Sequence, residues 1–297
     1  MDNTTVITDG IREEQQCIRC FERSYQRLFK KYSVGPALQQ EFMRYFNEFT
    51  AHSAGLSSPE IQRELNARFC ALMGVEDPFY EEKRESNKQA LSIVNRWKPT
   101  VHYSPDPFDL TLRLAIAGNI MDYGAADDFD VDAVIQRVLH AQFAVDDSSL
   151  LREKIASASK ILYLGDNAGE IVFDKLFIET NMSNRVTYVV KGGAVLNDVT
   201  MDDAGETALT EVATVISNGY NAPSTILRKS GNEFLAHYTS ADLILSKGQG
   251  NLEGLMDEND ERIFFLLMVK CEVIAKRLGV PKGSFVVVNG SGINGNK

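Results

Sequence analysis

Ile161-Leu162-Tyr163-Leu164-Gly165-Asp166-Asn167-Ala168-Gly169-Glu170 is the stretch of sequence that decides the fold. It begins with a short, continuous apolar run, which is typical of a strand buried on both faces. A polar turn bounded by glycines follows, and residues 170–180 then have the spacing of a helix. We therefore predict a strand, a turn and a helix in this order.

The same alternation continues towards the end of the chain. The other apolar runs lie at residues 186–190, 212–216, 243–245 and 285–288, and the other helical segments at residues 200–209, 222–229 and 260–278. Alternating strands and helices favour a parallel sheet whose right-handed crossover helices cover its faces. The predicted fold class is α/β, with a three-layer parallel-type sheet flanked by helices.

The sequence before this region has the periodicity of helices. Helices are predicted at residues 17–31, 36–51, 58–74, 83–98, 109–123, 131–142 and 148–157. We interpret residues 1–155 as an N-terminal helical domain, and residues 156–297 as the α/β domain in which we expect the functional site. Segments of the helical domain are expected to contribute to that site.

The composition is that of an ordinary globular protein. The 297 residues are 44% hydrophobic and 24% charged, and the formal net charge is −10. This negative charge argues against nucleic acid or an anionic membrane as a partner, and no apolar run is long enough to span a membrane. Four cysteines and a polar N-terminus unlike a signal peptide indicate a cytoplasmic protein. An anionic substrate would need a metal or a local cationic pocket.

Polar side chains follow the predicted strands, where open parallel sheets bind ligands. Asp166 and Asn167 come directly after the first strand, and Asp198 follows the second. Two carboxylates and an amide oxygen suit a hard cation and leave positions for water and a phosphate. In the alternative interpretation, Asn167 caps the next helix with Glu170 completing a capping box, and Asp198 likewise belongs to a helix cap.

A second group of candidates carries positive charge or glycine. Lys247 opens the loop Gly248-Gln249-Gly250-Asn251, whose glycines would let backbone N–H groups approach an anion. Lys270 lies in the last predicted helix, where it either reaches a phosphate or extends to solvent. Cys17 and Cys20 are three residues apart on one predicted helix, and they either belong to the core or form a redox or metal pair.

Several segments resemble the damage-control phosphatases, a family first catalogued as domain of unknown function 89, in the branch of archaea and bacteria with an N-terminal cysteine pair. The stretch Leu164-Gly165-Asp166-Asn167-Ala168-Gly169-Glu170-Ile171-Val172-Phe173-Asp174 is similar to its central motif. Further similar blocks are Cys17-Ile18-Arg19-Cys20, Asp77-Pro78 with Lys83 and Asn87, Ala117-Gly118-Asn119-Ile120-Met121-Asp122, Asn197-Asp198-Val199-Thr200, Lys247-Gly248-Gln249-Gly250-Asn251 and Lys270-Cys271. The resemblance covers most of the chain.

This resemblance implies an α/β domain with a helical N-terminal domain, and hydrolysis of phosphate monoesters that depends on manganese, cobalt, nickel or magnesium. The implied substrates are small phosphorylated metabolites such as sugar phosphates, phosphopantetheine and nucleotides. Asp166, Asn167 and Asp198 match the metal ligands, and Lys270 and the loop opened by Lys247 match contacts to the substrate phosphate. In the sugar-phosphate branch the last lysine lies in an Arg-Thr-x-Lys motif, which this sequence lacks before Lys270.

Three further residues have open roles. Glu170 is the candidate that orients or deprotonates the attacking water, and its alternative role is a helix cap. Asn119 either closes the site against the substrate, together with Asp122, or joins the two domains. We expect Asp174, one helical turn beyond Glu170, to lie at the surface.

Two other functions stay open at this point. One is a carboxyl methyltransferase that uses S-adenosylmethionine in the same cleft, and the other is a protein that binds a metabolite without catalysis. The sequence leaves open the physiological substrate, the preferred metal, the oligomeric state and the role of Cys17 and Cys20.

Overall fold

A computed structural model of the chain describes residues 3–118, 131–182 and 184–293. The residues pack into two compact units, one up to Glu76 and one from Asp77 onwards. The predicted division at residues 155 and 156 places the helices of residues 77–155 with the N-terminal part, whereas their contacts group them with the sheet. The reason is that these helices bury their apolar faces against one side of the sheet.

The first unit consists of three helices around an aromatic core. They are α1 (Asn3–Lys31), α2 (Pro36–Ala51) and α3 (Ser58–Met73). Tyr25, Phe42 and Phe69 are buried together at its centre. Helix α3 begins with a capping box, in which the Ser57 N–H donates to Glu60 Oε2 at 2.9 Å, so Ser57 is the cap of a helix that we predicted correctly.

The second unit contains a sheet whose described strands run in the order β1-β7-β6-β5-β2-β3-β4. The strands are β1 (Val145–Asp146), β2 (Ile161–Leu164), β3 (Val186–Val190), β4 (Thr214–Ser217), β5 (Leu243–Lys247), β6 (Ile263–Met268) and β7 (Phe285–Asn289). Strands β2 to β6 are parallel to one another, whereas β7 is antiparallel to β6 and pairs in parallel with β1. The predicted parallel-type sheet is therefore confirmed, with one antiparallel pair, β6 and β7, that the sequence did not indicate.

Helices cover both faces of this sheet. They are α4 (Tyr80–His102), α5 (Pro107–Gly118), α6 (Val131–His140), α7 (Ser148–Ser157), α8 (Glu170–Asn181), α9 (Met201–Glu206), α10 (Asn232–Ser240), α11 (Gly248–Leu255) and α12 (Glu272–Leu278). Helices α4 to α9 share one apolar core with one face of the sheet, and α10 to α12 share a second core with the other. The predicted three-layer α/β fold is confirmed.

Two predicted helices are wrong. Within residues 260–278, Ile263–Met268 forms strand β6, and the helix is limited to α12. This error has a physical cause, because a continuous apolar run has neither the period of a strand nor that of a helix. Residues 222–229 contain a short 3₁₀ turn at Leu227–Lys229, and the following helix α10 was missed.

The strand order places a crevice at the carboxyl end of β2. The chain moves from β2 to β3 and β4 on one side, and then returns to β5 and β6 on the other side of β2. Such a switch point is where open α/β sheets bind ligands, because the loops after the neighbouring strands diverge there. In the described part of the chain, no helix is both long and apolar enough to cross a membrane.

Candidate functional site

The loops that follow β2 and β3 are joined by backbone hydrogen bonds. The Val199 N–H donates to the Asp166 carbonyl at 2.9 Å, and the Ala168 N–H donates to the Asn197 carbonyl at 3.0 Å. Asn167 and Asp198 form an antiparallel bridge between these loops. The structure therefore brings the predicted ligands together at the carboxyl end of the sheet.

Neither loop uses these side chains as helix caps. The N-cap of α8 is Gly169, and that of α9 is Thr200, which forms a capping box with Asp203. Asn167 Nδ2 instead donates to Asp166 Oδ2 at 2.8 Å and lies 3.5 Å from Glu170 Oε2. The capping alternative for Asn167 and Asp198 is therefore wrong.

The surroundings of Asn167 fix the orientation of its amide. Both groups near Nδ2 are carboxylate oxygens, which only accept hydrogen bonds when ionised. The amide nitrogen must face them, so Oδ1 is directed elsewhere. Asp166, Asn167 and Asp198 are 6%, 4% and 3% exposed, and together they present carboxylate and amide oxygens of the kind that bind hard cations.

Gly248 is required by the position of Asp166. This first residue of α11 has a φ of +78°, and a Cβ atom on it would lie 1.8 Å from Asp166 Oδ2. The Asp166 carboxylate therefore lies against the N-terminal end of α11, where the helix dipole favours negative charge. We predicted that this glycine admits a phosphate, and the structure places a carboxylate of the protein there.

Lys247 does not face the cleft, although we predicted that it contacts the substrate phosphate. Its side chain is fully buried, and Nζ donates to Glu170 Oε1 at 2.6 Å, Asp174 Oδ1 at 2.6 Å and the Ala115 carbonyl at 2.9 Å. Burial alone would lower the pKa of Lys247, but the two carboxylates raise it above its ordinary value. All three ammonium hydrogens are used inside the protein, so a direct phosphate contact does not fit this geometry.

Asp174 is fully buried, so its predicted surface position is wrong. Tyr163 donates to Asp174 Oδ1 at 2.7 Å, and Tyr188 donates to Oδ2 at 2.9 Å. Burial raises the pKa of Asp174 to about 6 in spite of the opposing charge of Lys247. The error arose because α8 is covered by the sheet on one side and by α5 on another, so it has little polar surface.

Glu170 belongs to the same buried group. Its side chain is 0% exposed, with Oε1 bonded to Lys247 and Oε2 facing the Asn167 amide. This position does not fit a base that meets a water molecule in the cleft. It fits a residue that orients Asn167.

Asn251 also makes its hydrogen bonds within the protein. Its Nδ2 donates to the Gly165 and Lys247 carbonyls at 3.0 and 2.8 Å. Its Oδ1 accepts from Lys191 Nζ at 2.9 Å and from Thr225 Oγ1 at 3.0 Å. Its Oδ1 thus positions Lys191, and a contact between Asn251 and substrate stays a prediction.

The remaining residues of the predicted phosphate loop shape the cleft. A Cβ atom on Gly250 would lie 2.1 Å from the Pro223 carbonyl oxygen, so this glycine permits close packing. Gln249 Oε1 accepts from the Lys270 N–H at 2.8 Å, and its Nε2 lies 3.3 Å from Cys271 Sγ. Lys270 thus follows β6 in a loop tied to α11, and its role at the phosphate stays a prediction.

Two residues that we did not propose complete the site. Lys191 follows β3 directly, is 3% exposed, and has Nζ 3.5 Å from Asp198 Oδ2. Asn87 on α4 accepts from the Gly169 N–H at 2.7 Å and so fixes the turn after β2. The signal in the sequence for Lys191 was its place immediately after an apolar run. Two other predicted residues, Asn119 and Asp122, lie outside the described residues.

The charges around the cleft suit a divalent cation. Asp166, Glu170, Asp174 and Asp198 are buried with Lys191 and Lys247, and these four carboxylates and two lysines carry a formal charge of −2. Within residues 3–118, 131–182 and 184–293, no three His, Cys, Asp or Glu side chains gather around one point. A metal here would therefore depend on the amide oxygen of Asn167 as a third ligand.

Comparison with known proteins agrees with this fold. A family model described as the damage-control phosphatase ARMT1-like domain matches residues 14–286. Damage-control phosphatase PH1575 of Pyrococcus horikoshii is 32% identical over 282 residues, which cover 93% of this chain and 97% of that protein. A damage-control phosphatase of Archaeoglobus fulgidus is 30% identical over 288 residues, with coverage of 95% and 91%.

A solved structure has the same fold. The crystal structure of the DUF89 family protein PH1575 from Pyrococcus horikoshii matches with a TM-score of 0.82 and 30% sequence identity. The match covers 93% of this chain and 98% of that one. This chain therefore belongs to the damage-control phosphatase ARMT1-like family.

Proposed function

We propose that this protein is a divalent-metal-dependent phosphatase that hydrolyses a small phosphorylated metabolite of the sugar phosphate, phosphopantetheine or nucleotide type, in a damage-control role. The observation that carries the proposal is the bridge between Asn167 and Asp198, which joins the two loops that bear the candidate ligands. The names of two relatives with more than nine-tenths coverage support the reaction class.

Asp166, Asn167 and Asp198 would hold the metal, with manganese, cobalt, nickel or magnesium as the candidates. When bound, such a cation supplies Lewis-acid stabilisation of phosphate oxygens and lowers the pKa of a water ligand. The residues fit it because they offer two carboxylates and an amide oxygen, and because the buried side chains around them carry excess negative charge.

The protein's own groups would prepare this site. Lys247 holds Glu170, and Glu170 holds the nitrogen side of the Asn167 amide, so the amide oxygen keeps one orientation. The Asn167 amide in turn donates to Asp166, which fixes one carboxylate oxygen. This arrangement lowers the reorganisation needed when the substrate binds, which is a main source of catalysis in phosphoryl transfer.

Phosphate release from p-nitrophenyl phosphate, with Mn²⁺, Co²⁺, Ni²⁺ or Mg²⁺ added in turn to metal-stripped protein, tests the proposal. We expect turnover with at least one metal, and a loss of about 10²-fold or more in Asp198→Asn because the variant removes a ligand charge. Asp257→Asn, at an exposed carboxylate that pairs with Arg277, is the matched control and should keep the wild-type rate.

Two results would contradict this function. Full turnover of Asp198→Asn at saturating metal would remove Asp198 from the ligand set. No phosphate release with any metal, from p-nitrophenyl phosphate or from a panel of phosphorylated metabolites, would favour a metabolite-binding protein or the methyltransferase alternative.

A further inference from the structure

We propose that Lys191, and not Lys247, contacts the phosphoryl group of the substrate. The inference rests on the proposed phosphatase function and names a further residue of that site. Both lysines are buried at carboxyl ends of strands that flank β2, Lys191 after β3 and Lys247 at the end of β5. They differ in their hydrogen bonds.

The backbone places Lys191 beside the candidate metal ligands. Lys191 directly follows β3, and its N–H donates to the Val199 carbonyl at 3.0 Å. Val199 is the neighbour of Asp198 and donates its own N–H to the Asp166 carbonyl. The main chain at residue 191 is thus held next to residues 198 and 166, so the lysine side chain starts beside the candidate ligands.

Asn251 holds the lysine side chain from the other direction. Because Asn251 Nδ2 donates to two backbone carbonyls, Oδ1 must be the atom that faces Lys191. The Nζ–Oδ1 distance is 2.9 Å, and Thr225 Oγ1 donates to the same oxygen at 3.0 Å. Because this acceptor is held in place, it orients the ammonium group of a lysine whose side chain is long and flexible.

Lys191 keeps hydrogen-bonding capacity that Lys247 lacks. An ammonium group has three hydrogens, and among the described residues Lys191 Nζ has one hydrogen-bond acceptor, Asn251, and one ion-pair partner, Asp198 Oδ2 at 3.5 Å. Lys247 has three acceptors within 2.9 Å. Lys191 therefore has a hydrogen available for an incoming anion.

The position also suits the charge of the substrate. A transferring phosphoryl group carries charge on three equatorial oxygens, and a cation close to them stabilises the transition state. Lys191 lies next to Asp198, so an anion bound to a metal at Asp198 would lie within reach of Nζ. Among the described residues one carboxylate pairs with this buried lysine, and a bound anion would accept its remaining hydrogen and reduce the cost of burying its charge.

The test measures inorganic phosphate binding by calorimetry on the full-length chain with saturating Mn²⁺, and Mn²⁺ binding by electron paramagnetic resonance. In Lys191→Met we expect phosphate affinity to fall roughly 10- to 100-fold, because a charge-assisted hydrogen bond is lost. Mn²⁺ affinity should stay equal or increase, since a positive charge next to Asp198 has been removed. Lys191→Gln serves if the Met variant does not fold.

Lys175→Met is the matched control, since this part-buried lysine of α8 donates to the Thr207 carbonyl and pairs with Glu179 and Glu211. It should bind phosphate and Mn²⁺ as the wild type does. A phosphate Kd within twofold of wild type in folded Lys191→Met or Lys191→Gln would overturn the proposal. So would a parallel loss of Mn²⁺ affinity, which would mean that Lys191 only supports the ligands.

Failure of this inference is distinguishable from failure of the proposed function. If the wild type hydrolyses p-nitrophenyl phosphate but the Lys191 variants bind phosphate normally, the phosphatase function stands and Lys191 has no part in it. If the wild type shows no turnover yet binds phosphate through Lys191, the anion site stands and the reaction does not.

Discussion

Two groups of buried charges lie at or near the carboxyl ends of the central strands, and they differ in how their lysines are bonded. The inner group consists of Lys247, Glu170 and Asp174, with contacts of 2.6 Å from the lysine to each carboxylate. The strand-end group contains Asp166, Asp198 and Lys191, and Lys191 Nζ lies 3.5 Å from Asp198 Oδ2. All three ammonium hydrogens of Lys247 are bonded inside the protein, whereas Lys191 has one hydrogen-bond acceptor among the described residues and so keeps a hydrogen for a ligand.

This difference assigns the two lysines to different tasks. Breaking a buried ion pair leaves an uncompensated charge and is strongly destabilising, so we expect the inner group to control stability. The strand-end group carries the candidate metal ligands, and we expect its variants to alter binding more than stability. Each of the following predictions tests this separation.

The largest loss of stability is expected for Lys247→Met. This change leaves Glu170 and Asp174 buried without their shared cation, and we expect a loss of about 3–5 kcal/mol in the free energy of unfolding at pH 8. Urea titration followed by the fluorescence of Trp97, the single tryptophan, reports on the unit that contains α4. Lys191→Met should lose clearly less, and equal losses would remove the distinction between the two groups.

Gly248→Ala is expected to have the next largest effect and to connect the two groups. The positive φ costs about 1–2 kcal/mol for a non-glycine residue, and the added methyl group would overlap the Asp166 carboxylate, which adds about 1–3 kcal/mol. Displacement of Asp166 should also weaken Mn²⁺ binding.

Gly279→Ala is the control for the cost of a positive φ in a residue other than glycine. Gly279 has a φ of +67°, and a methyl group on it would meet no heavy atom of the described residues within 4 Å apart from its chain neighbours, so only the strain applies. We expect this variant to lose about 1–2 kcal/mol and to retain full Mn²⁺ affinity. Equal Mn²⁺ affinity in both alanine variants would mean that Asp166 is not held at Gly248 in the way described.

The raised pKa of Asp174 predicts a smaller effect that depends on pH. In the folded state the pKa of Asp174 is about 6, whereas its ordinary value is 3.8, so the folded protein keeps this proton to a higher pH. The stabilisation from this group is therefore complete below pH 3.8 and is lost as the pH rises through 6. The variant Asp174→Asn keeps the groups that face this carboxylate, which are Glu170, Lys247, Tyr163 and Tyr188. A comparison of the two proteins therefore isolates the titration of Asp174.

We therefore expect the stability of the wild type relative to Asp174→Asn to fall by about 1–3 kcal/mol between pH 4 and pH 7.5. Urea titrations of both proteins across this range measure the difference. A difference that is constant with pH, or that grows as the pH rises, would contradict the raised pKa.

The sequence was sufficient for the fold class and for the meeting of Asp166, Asn167 and Asp198, because the carboxyl ends of parallel strands share one edge of the sheet. It was insufficient for Lys247, because side chains alternate between the faces of a strand. Lys247 shares the face of Leu243 and Leu245, which pack in the core with α5 and α8, and no local pattern distinguishes that face from the cleft.

The smallest effects are expected from the two tyrosines that bond to Asp174, and they should differ from each other. Tyr163 shares Oδ1 with Lys247, whereas Tyr188 is the only hydrogen-bond donor to Oδ2 among the described residues. Tyr163→Phe leaves Oδ1 with the lysine, so we expect a loss of about 0.5–1 kcal/mol. Tyr188→Phe leaves a buried oxygen without a donor and should cost about 1–3 kcal/mol. Urea titrations that give the reverse order would mean that Lys247 does not hold Oδ1, and the inner group would then be less closed than its distances indicate.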